Sequence, residues 1–381
     1  MTRPANINLH FAFVALLFFG VHIPTEAAIP APERQALLNF YTSTNGDNWD
    51  VLTGWNGAAG TECSWFGITC DGTQSHVIHI SLPFNNLTGQ FPELSALPRL
   101  ESFQTESNGV TGAIPTLTGL SHLQFFDVSS NQLTGIIPSL KGLTNLQTFN
   151  VGLNQLVGTV PPLMGLTNLQ VFDAQSNRLT GSIPPLTGLT SLRSFHVDSN
   201  QLTGSIPDLV GLANLYRFGA EYNDLAGSIP PLTGIPSIEY FFVSGNRLTG
   251  VLPTFTGLPN LTVFAASENQ LTGPIPALSG LTGIQAFRVE FNRLNGPIPD
   301  LTGLTQLDEF RVGGNSLSGP IPTAPASLGN GRSSLCPNSL DTIPSSNDSA
   351  WDAATGYTPW WATPHANNLC DHTFANGFDA P

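Results

Sequence analysis

Charge is what this sequence has least of. Asp, Glu, Lys and Arg together make up 10% of its 381 residues, and the 12 basic residues include a single lysine, Lys141. Lys141 follows Leu140, so there is no GK[ST] loop to cradle a phosphate, and a net charge of −14 repels nucleic acid. Cysteine is scarce as well: Cys63, Cys70, Cys336 and Cys370, with no CxxC pair of the kind zinc favours. His76, His79, His122, His196, His365 and His372 neither open an HExxH motif nor sit with a second ligand at helical spacing. His76 and His79 stand three apart on an extended stretch, hence on opposite faces. The expectation is a chain with no metal, no cofactor and no catalytic apparatus.

Long apolar runs are also missing, apart from residues 11–21, which are too few to cross a bilayer. With Arg3 ahead of that run and small residues behind it, residues 1–27 are expected to be a secretory signal peptide, cleaved after Ala27. Its Arg3 and Glu26 cancel, so cleavage leaves the net charge unchanged.

What the sequence has in plenty is glycine, 38 residues, and proline, 31, and they recur on a fixed step. Asn85, Asn108, Asn131, Asn154, Asn177, Asn200, Asn223, Asn246, Asn269, Asn292 and Asn315 follow one another every 23 residues. Around each the chain reads LxxFxVxxNxLTGxIP, as in Leu192, Phe195, Val197, Asn200 and Leu202. Alternation about the Phe and Val describes a short strand with one buried face, and one 23-residue unit cannot bury that face alone. The units must stack, with their strands in one parallel sheet. The asparagines are expected to form a ladder satisfying buried backbone groups, and Phe103 through Phe310, again every 23 residues, a stacked aromatic core. Proline after LTGxI forbids a full helix on the back, which is expected to be extended or 3₁₀.

This pattern resembles the plant-type leucine-rich repeat class of receptor ectodomains and polygalacturonase-inhibiting proteins. Two departures, a step of 23 rather than 24 and Phe in the middle of the strand, look more like bacterial secreted relatives. The implied fold is an α/β repeat solenoid, a right-handed curved stack of about 11 units, with a parallel sheet on the concave face and capped ends. The cap before the repeats matches the family's CxWxGxxC at Cys63, Trp65, Gly67 and Cys70. A solenoid holds its two ends far apart, so the bridges expected are Cys63 with Cys70 and Cys336 with Cys370. The organisation expected is a signal over 1–27, an N-terminal cap over 28–74, eleven repeats over 75–322 and a C-terminal cap over 323–381, where the register fails after Pro322. All six tryptophans lie in the two caps.

Positions between the buried strand residues project from the concave face and are free to differ. That face is graded, with acids towards its N-terminal half and Arg288 and Arg311 towards its end. Between them lie Arg217, Tyr222, Tyr240 and Phe242, with Tyr216 nearby and Gly219 leaving room for a partner's side chain. Aromatic and arginine side chains at the centre of a face have the composition of a binding hot spot. The ligand-binding set expected is His196, Asp198, Arg217, Glu221, Tyr222, Tyr240, Phe242, Arg288 and Arg311, facing an extracellular protein or cell-wall glycan. Inhibition of an extracellular glycosidase is implied only by the resemblance. Another candidate surface is the column Thr88, Thr111, Thr134, Thr180, Thr203, Thr249 and Thr272, a row of hydroxyls that could order water and bind ice or act as a surface adhesin. Turn chemistry explains the same threonines, and Val157, Ala226, Asn295 and Ser318 interrupt them. Asn86, Asn260 and Asn347 are glycan acceptors only in a eukaryotic host.

Overall fold

A computed structural model describes residues 29–362. The signal segment 1–27 and Cys370 lie outside the described residues. Eleven three- to five-residue strands, from Val77–Ser81 to Glu309–Arg311, pair in parallel in strict 23-residue register. Ile68–Cys70 adds an antiparallel strand at the start of this sheet, and the bridge Cys63–Cys70 ties it down. The fold class read from the repeats therefore holds.

Each of these strands from Ser102–Gln104 onward buries its central Phe completely, and Ile80 takes that place in Val77–Ser81. Successive rings from Phe103 to Phe310 stack with centroids 5.3–5.8 Å apart and planes within 6–19°. At one end Phe40, on the helix Ala31–Ser43, meets Phe103 edge-on at 5.9 Å, backed by Trp49, Trp55 and Trp65. At the other, Phe310 meets Trp351 at 6.1 Å on the helix Asp348–Thr355. The caps thus continue the aromatic column with larger rings that cover its open ends.

The asparagine ladder is present bond for bond. Asn200 Nδ2 donates to the carbonyls of Ala174, Val197 and Asp198 at 3.0–3.2 Å, while its Oδ1 accepts from Leu179 N at 2.9 Å. Asn85 is the exception, exchanging two bonds with the cap at Val51 instead. The ladder also runs one step past the eleven. Asn338, 23 residues after Asn315, accepts from Leu317 N and donates to Val312 O, and Ser339–Leu340 pairs in parallel with Ser316–Gly319. The register that was expected to fail after Pro322 is therefore kept by Asn338 and Leu340, with Ser333 in place of the phenylalanine.

The back of each coil is a run of single tight turns, such as Leu120 N to Leu117 O and Leu123 N to Leu120 O. Among the described residues the 3₁₀ helices, Gly46–Asn48 and Glu62–Ser64, both lie in the N-terminal cap rather than on the convex side. A second column of short parallel pairings, including Gly109–Ala113 with Gln132–Thr134 and Arg293–Gly296 with Ser316–Gly319, follows the ladder.

The residue before every ladder asparagine from Asn85 to Asn315 has positive φ, between 48° and 69°. Serine or glycine fills most of these positions, but Phe84, Leu153, Tyr222 and Phe291 occupy four of them.

Candidate functional site

Strand register lines up His196, Gly219, Phe242, Ala265, Arg288 and Arg311 in one row across the concave sheet. A flanking row carries Arg217 beside Tyr240, because Arg217–Gly219 pairs with Tyr240–Phe242. Tyr240 and Phe242 are two apart on a strand and so share its outer face. Their rings stack at 6.2 Å and 20°, and the Arg217 guanidinium lies 5.3 Å from the Phe242 centroid and 6.0 Å from that of Tyr240. All three are at least partly exposed. The structure assembles them into one cation–aromatic cluster.

Beside it, in the same coils and those that follow, lies an open cavity of about 450 Å³ lined by Glu221, Tyr222, Ser244, Ser267, Arg288 and Glu290, among others. Here the structure corrects two expectations. The end of the face is not a cationic patch: Arg288 Nη2 holds Glu309 Oε2 at 2.6 Å, and Arg311 pairs with Glu309 and, at 4.0 Å, with Glu290. Each arginine is neutralised by an acid in a neighbouring row. Nor does Gly219 leave space for a partner. The Asp198 carboxylate fills it, and a Cβ on Gly219 would stand 2.5 Å from Asp198 Oδ2.

On the other side, His196 Nδ1 lies 3.5 Å from Asp173 Oδ2 and Nε2 is 3.1 Å from Ser194 Oγ, while Asp198 Oδ1 accepts from Glu221 N at 2.8 Å. These polar groups serve the sheet as well as its surface. Burial is the main reason why the carboxyls of Asp198, Glu221 and Glu290 titrate above the usual range. It does the same for Glu106, with Asp127 adding repulsion.

A carboxyl whose folded pKa exceeds its unfolded value favours the folded state more as pH falls through that folded pKa, with the gain complete near the unfolded value of about 4. Asp71 behaves oppositely. The Ser75 backbone N–H, with further hydrogen bonds, holds its carboxyl down at about 2, so its contribution is present above the unfolded pKa and lost as pH falls towards 2. We expect the melting temperature to rise as pH falls from neutral towards about 4 and to fall as pH drops further towards about 2. Glu290, which faces Ser267, Arg311 and Glu309, supplies part of that rise, so Glu290→Gln should melt higher at pH 7 and show a shallower slope. Calorimetry from pH 3 to 8 checks this, and a Glu290→Gln curve parallel to the parent's would contradict it.

The threonine column has a structural duty. Thr111, Thr134, Thr180, Thr203, Thr249 and Thr272 each donate their hydroxyl hydrogen to a glycine carbonyl of the preceding coil, at 2.8–3.4 Å. Among the described residues no helix is long and apolar enough to cross a membrane, and no group of His, Cys, Asp and Glu is placed to hold a metal ion.

Comparison with known proteins agrees with this geometry. The family descriptions "leucine rich repeat N-terminal domain", "leucine rich repeats (2 copies)" and "leucine rich repeat" match residues 30–71, 167–216 and 122–143. The ectodomain of the Arabidopsis thaliana membrane receptor kinase GASSHO1/SCHENGEN3, solved with Casparian strip integrity factor 2, superposes with a TM-score of 0.69 at 32% identity, over 82% of this chain and 42% of its own. The chain is a plant-type leucine-rich repeat protein. The plant peptide hormone receptor RGFR1, in complex with RGF2, superposes on this repeat protein with a TM-score of 0.64 at 30% identity, over 67% of this chain and 43% of its own. A plant ice-binding protein does so at 0.57 and 25%, over 78% and 91%. A curated relative in Arabidopsis thaliana, named as a probable inactive leucine-rich repeat receptor-like protein kinase, is 32% identical over 97 residues, 25% of this chain and 14% of its own length. The leucine-rich repeat chain spans less than half the length of these receptors and a small part of the kinase.

The ligand set expected from sequence therefore divides. Arg217, Tyr240 and Phe242 meet in one cluster, and Glu221, Tyr222, Arg288 and Arg311 line the cavity beside it. His196 and Asp198 lie with Asp173 in the adjoining coils.

Proposed function

We propose that this protein is an extracellular, non-enzymatic recognition module that holds an extended segment of another protein across its concave sheet. The observation that carries this reading is the Arg217, Tyr240 and Phe242 cluster beside the cavity. It gives rigid, partly desolvated aromatic surface next to hydrogen-bonding groups, the usual make-up of an interface anchor. Similarity to receptor ectodomains, one of them a peptide hormone receptor, supports both the ligand class and the extracellular setting. The Cys63–Cys70 bridge suits an oxidising compartment.

Tyr240→Ala combined with Phe242→Ala is expected to weaken capture of the partner about a hundredfold or more, with the melting temperature nearly unchanged, because both rings lie outside the Phe stack. Affinity capture from the native extracellular fluid, with mass spectrometry of what is retained by parent and variant, tests it. Equal retention by both would sink the reading.

Ice binding is the second reading, favoured by the ice-binding neighbour that matches along 91% of its own length. Against it, the threonine hydroxyls already spend their hydrogens on backbone carbonyls. Thermal hysteresis at high protein concentration is therefore expected to be absent, and a measurable gap between melting and freezing points would reverse the ranking.

A further inference from the structure

Phe84, Leu153, Tyr222 and Phe291 stand three coils apart, a step of 69 residues each time. All four are exposed, at 73%, 53%, 57% and 46%. Each sits at the corner between the sheet and the back of its coil, in the left-handed conformation that costs a bulky side chain about 1–2 kcal/mol. The positions between are small or polar: Ser107, Ser130, Ser176, Ser199, Gly245 and Glu268. These exposed aromatic and aliphatic groups, in a disfavoured backbone conformation and at an even interval, are no part of the buried core.

Two of the rings are also held in place. A Cβ on Gly245 would stand 2.6 Å from Tyr222 Cδ1, and one on Gly314 would stand 2.6 Å from Phe291 Cδ1. Each ring lies across the bare backbone of the next coil, keeping its orientation while staying open to solvent. The corner is bonded from coil to coil, as in Tyr222 N to Ser244 O and Phe291 N to Gly313 O, both 2.9 Å. Its pitch is therefore that of the sheet, and three steps make about 14–15 Å.

We propose that this row is a binding surface for a linear, uncharged polysaccharide, one contact to every three coils. Isolated side chains separated by serine and glycine do not form the contiguous buried core of a stable protein interface, which needs roughly 1,200–2,000 Å². A polymer that repeats its own unit meets each side chain in turn, and weak single contacts add through avidity. The C–H face of a sugar ring stacks on an aromatic face, which the fixed rings of Tyr222 and Phe291 present. The row holds no Lys or Arg, Glu268 lies in it, and Glu221 and Glu290 precede two of its members, so a polyanion such as polygalacturonate is repelled.

The test is electrophoresis of the full chain through gels containing β-glucan, xylan or polygalacturonate, with pull-down on cellulose and chitin. At least one neutral polymer should retard or retain it, and polygalacturonate should not. Phe84→Asn combined with Phe291→Asn removes two side chains that do not line the concave cavity, and Asn tolerates the left-handed conformation, so the fold is kept. That variant is expected to lose about tenfold or more of its polymer affinity, while Tyr240→Ala with Phe242→Ala leaves that affinity intact. Capture of the concave-face partner should show the reverse pattern, so the two ideas fail separately. The proposal is overturned if no neutral polymer binds, if the Asn variant binds equally well, or if polygalacturonate binds best. It is also overturned if light scattering finds a dimer that the Asn variant dissolves, since the row is then a contact between copies of this chain.

Discussion

Asn223→Asp should destabilise the protein by about 3–5 kcal/mol, more than Asn223→Ala, although it changes one atom. Asn223 is buried and donates to the carbonyls of Val197, Ala220 and Glu221 at 3.0–3.3 Å, while its Oδ1 accepts from Leu202 N at 2.9 Å. Alanine leaves Leu202 N unpaired, at about 1–3 kcal/mol if no water reaches it, while the three carbonyls keep bonds from Asn200, Asn246 and Ser199 N. Aspartate keeps the bond from Leu202 but turns an anionic oxygen towards three carbonyl oxygens. The pH dependence separates the two variants. Burial and those carbonyls raise the folded pKa of the new carboxyl above its unfolded value of about 3.9. Its penalty is therefore slight below that value, grows as pH rises, and is complete above the folded pKa. Urea denaturation at pH 4 and pH 8 measures it, and an Asp-to-Ala difference that does not grow with pH would remove the electrostatic account.

The other large effect is expected in the aromatic column. Phe218 is wholly buried between Phe195, at 5.8 Å and 14°, and Phe241, at 5.3 Å and 17°. Phe218→Ala leaves a cavity in the middle of the stack and should cost about 3–5 kcal/mol, whereas Phe218→Leu, which keeps much of the volume, should cost about 1.5 kcal/mol or less. In a stack where each coil touches only its neighbours, weakening a central contact also uncouples the two halves. Because all six tryptophans lie in the caps, their fluorescence reports the ends, while far-ultraviolet circular dichroism reports the sheet. In Phe218→Ala the two signals should separate along the denaturant axis. Coincident transitions with an unchanged slope would show that the stack still melts as one unit.

How far the structure was legible in the sequence depended on whether a property belongs to one column or to two. The ladder and the Phe stack are single-column properties, identical in each coil, and both read off directly. Asn338 also stood in register but was hidden because Ser333 replaces the phenylalanine and the intervening segment has cap composition. The neutralisation of Arg288 and Arg311 could not be seen column by column, since Glu309 and Glu290 come from neighbouring rows and reach diagonally. Gly219 misled for the same reason: the space it opens belongs to Asp198, one coil away. The cluster of Arg217, Tyr240 and Phe242 was legible because strand register alone sets it.

The row of Phe84, Leu153, Tyr222 and Phe291 bears on how the chain was built. Three of the four interruptions of the threonine column, Val157, Ala226 and Asn295, fall four residues after the last three members of that row and again 69 apart. Two columns with different structural duties change in step over three coils, and only Ser318 among the interruptions falls outside that step. Lengthening the molecule by 69 residues would then preserve the phase between its coils, whereas adding 23 or 46 would put everything downstream out of step.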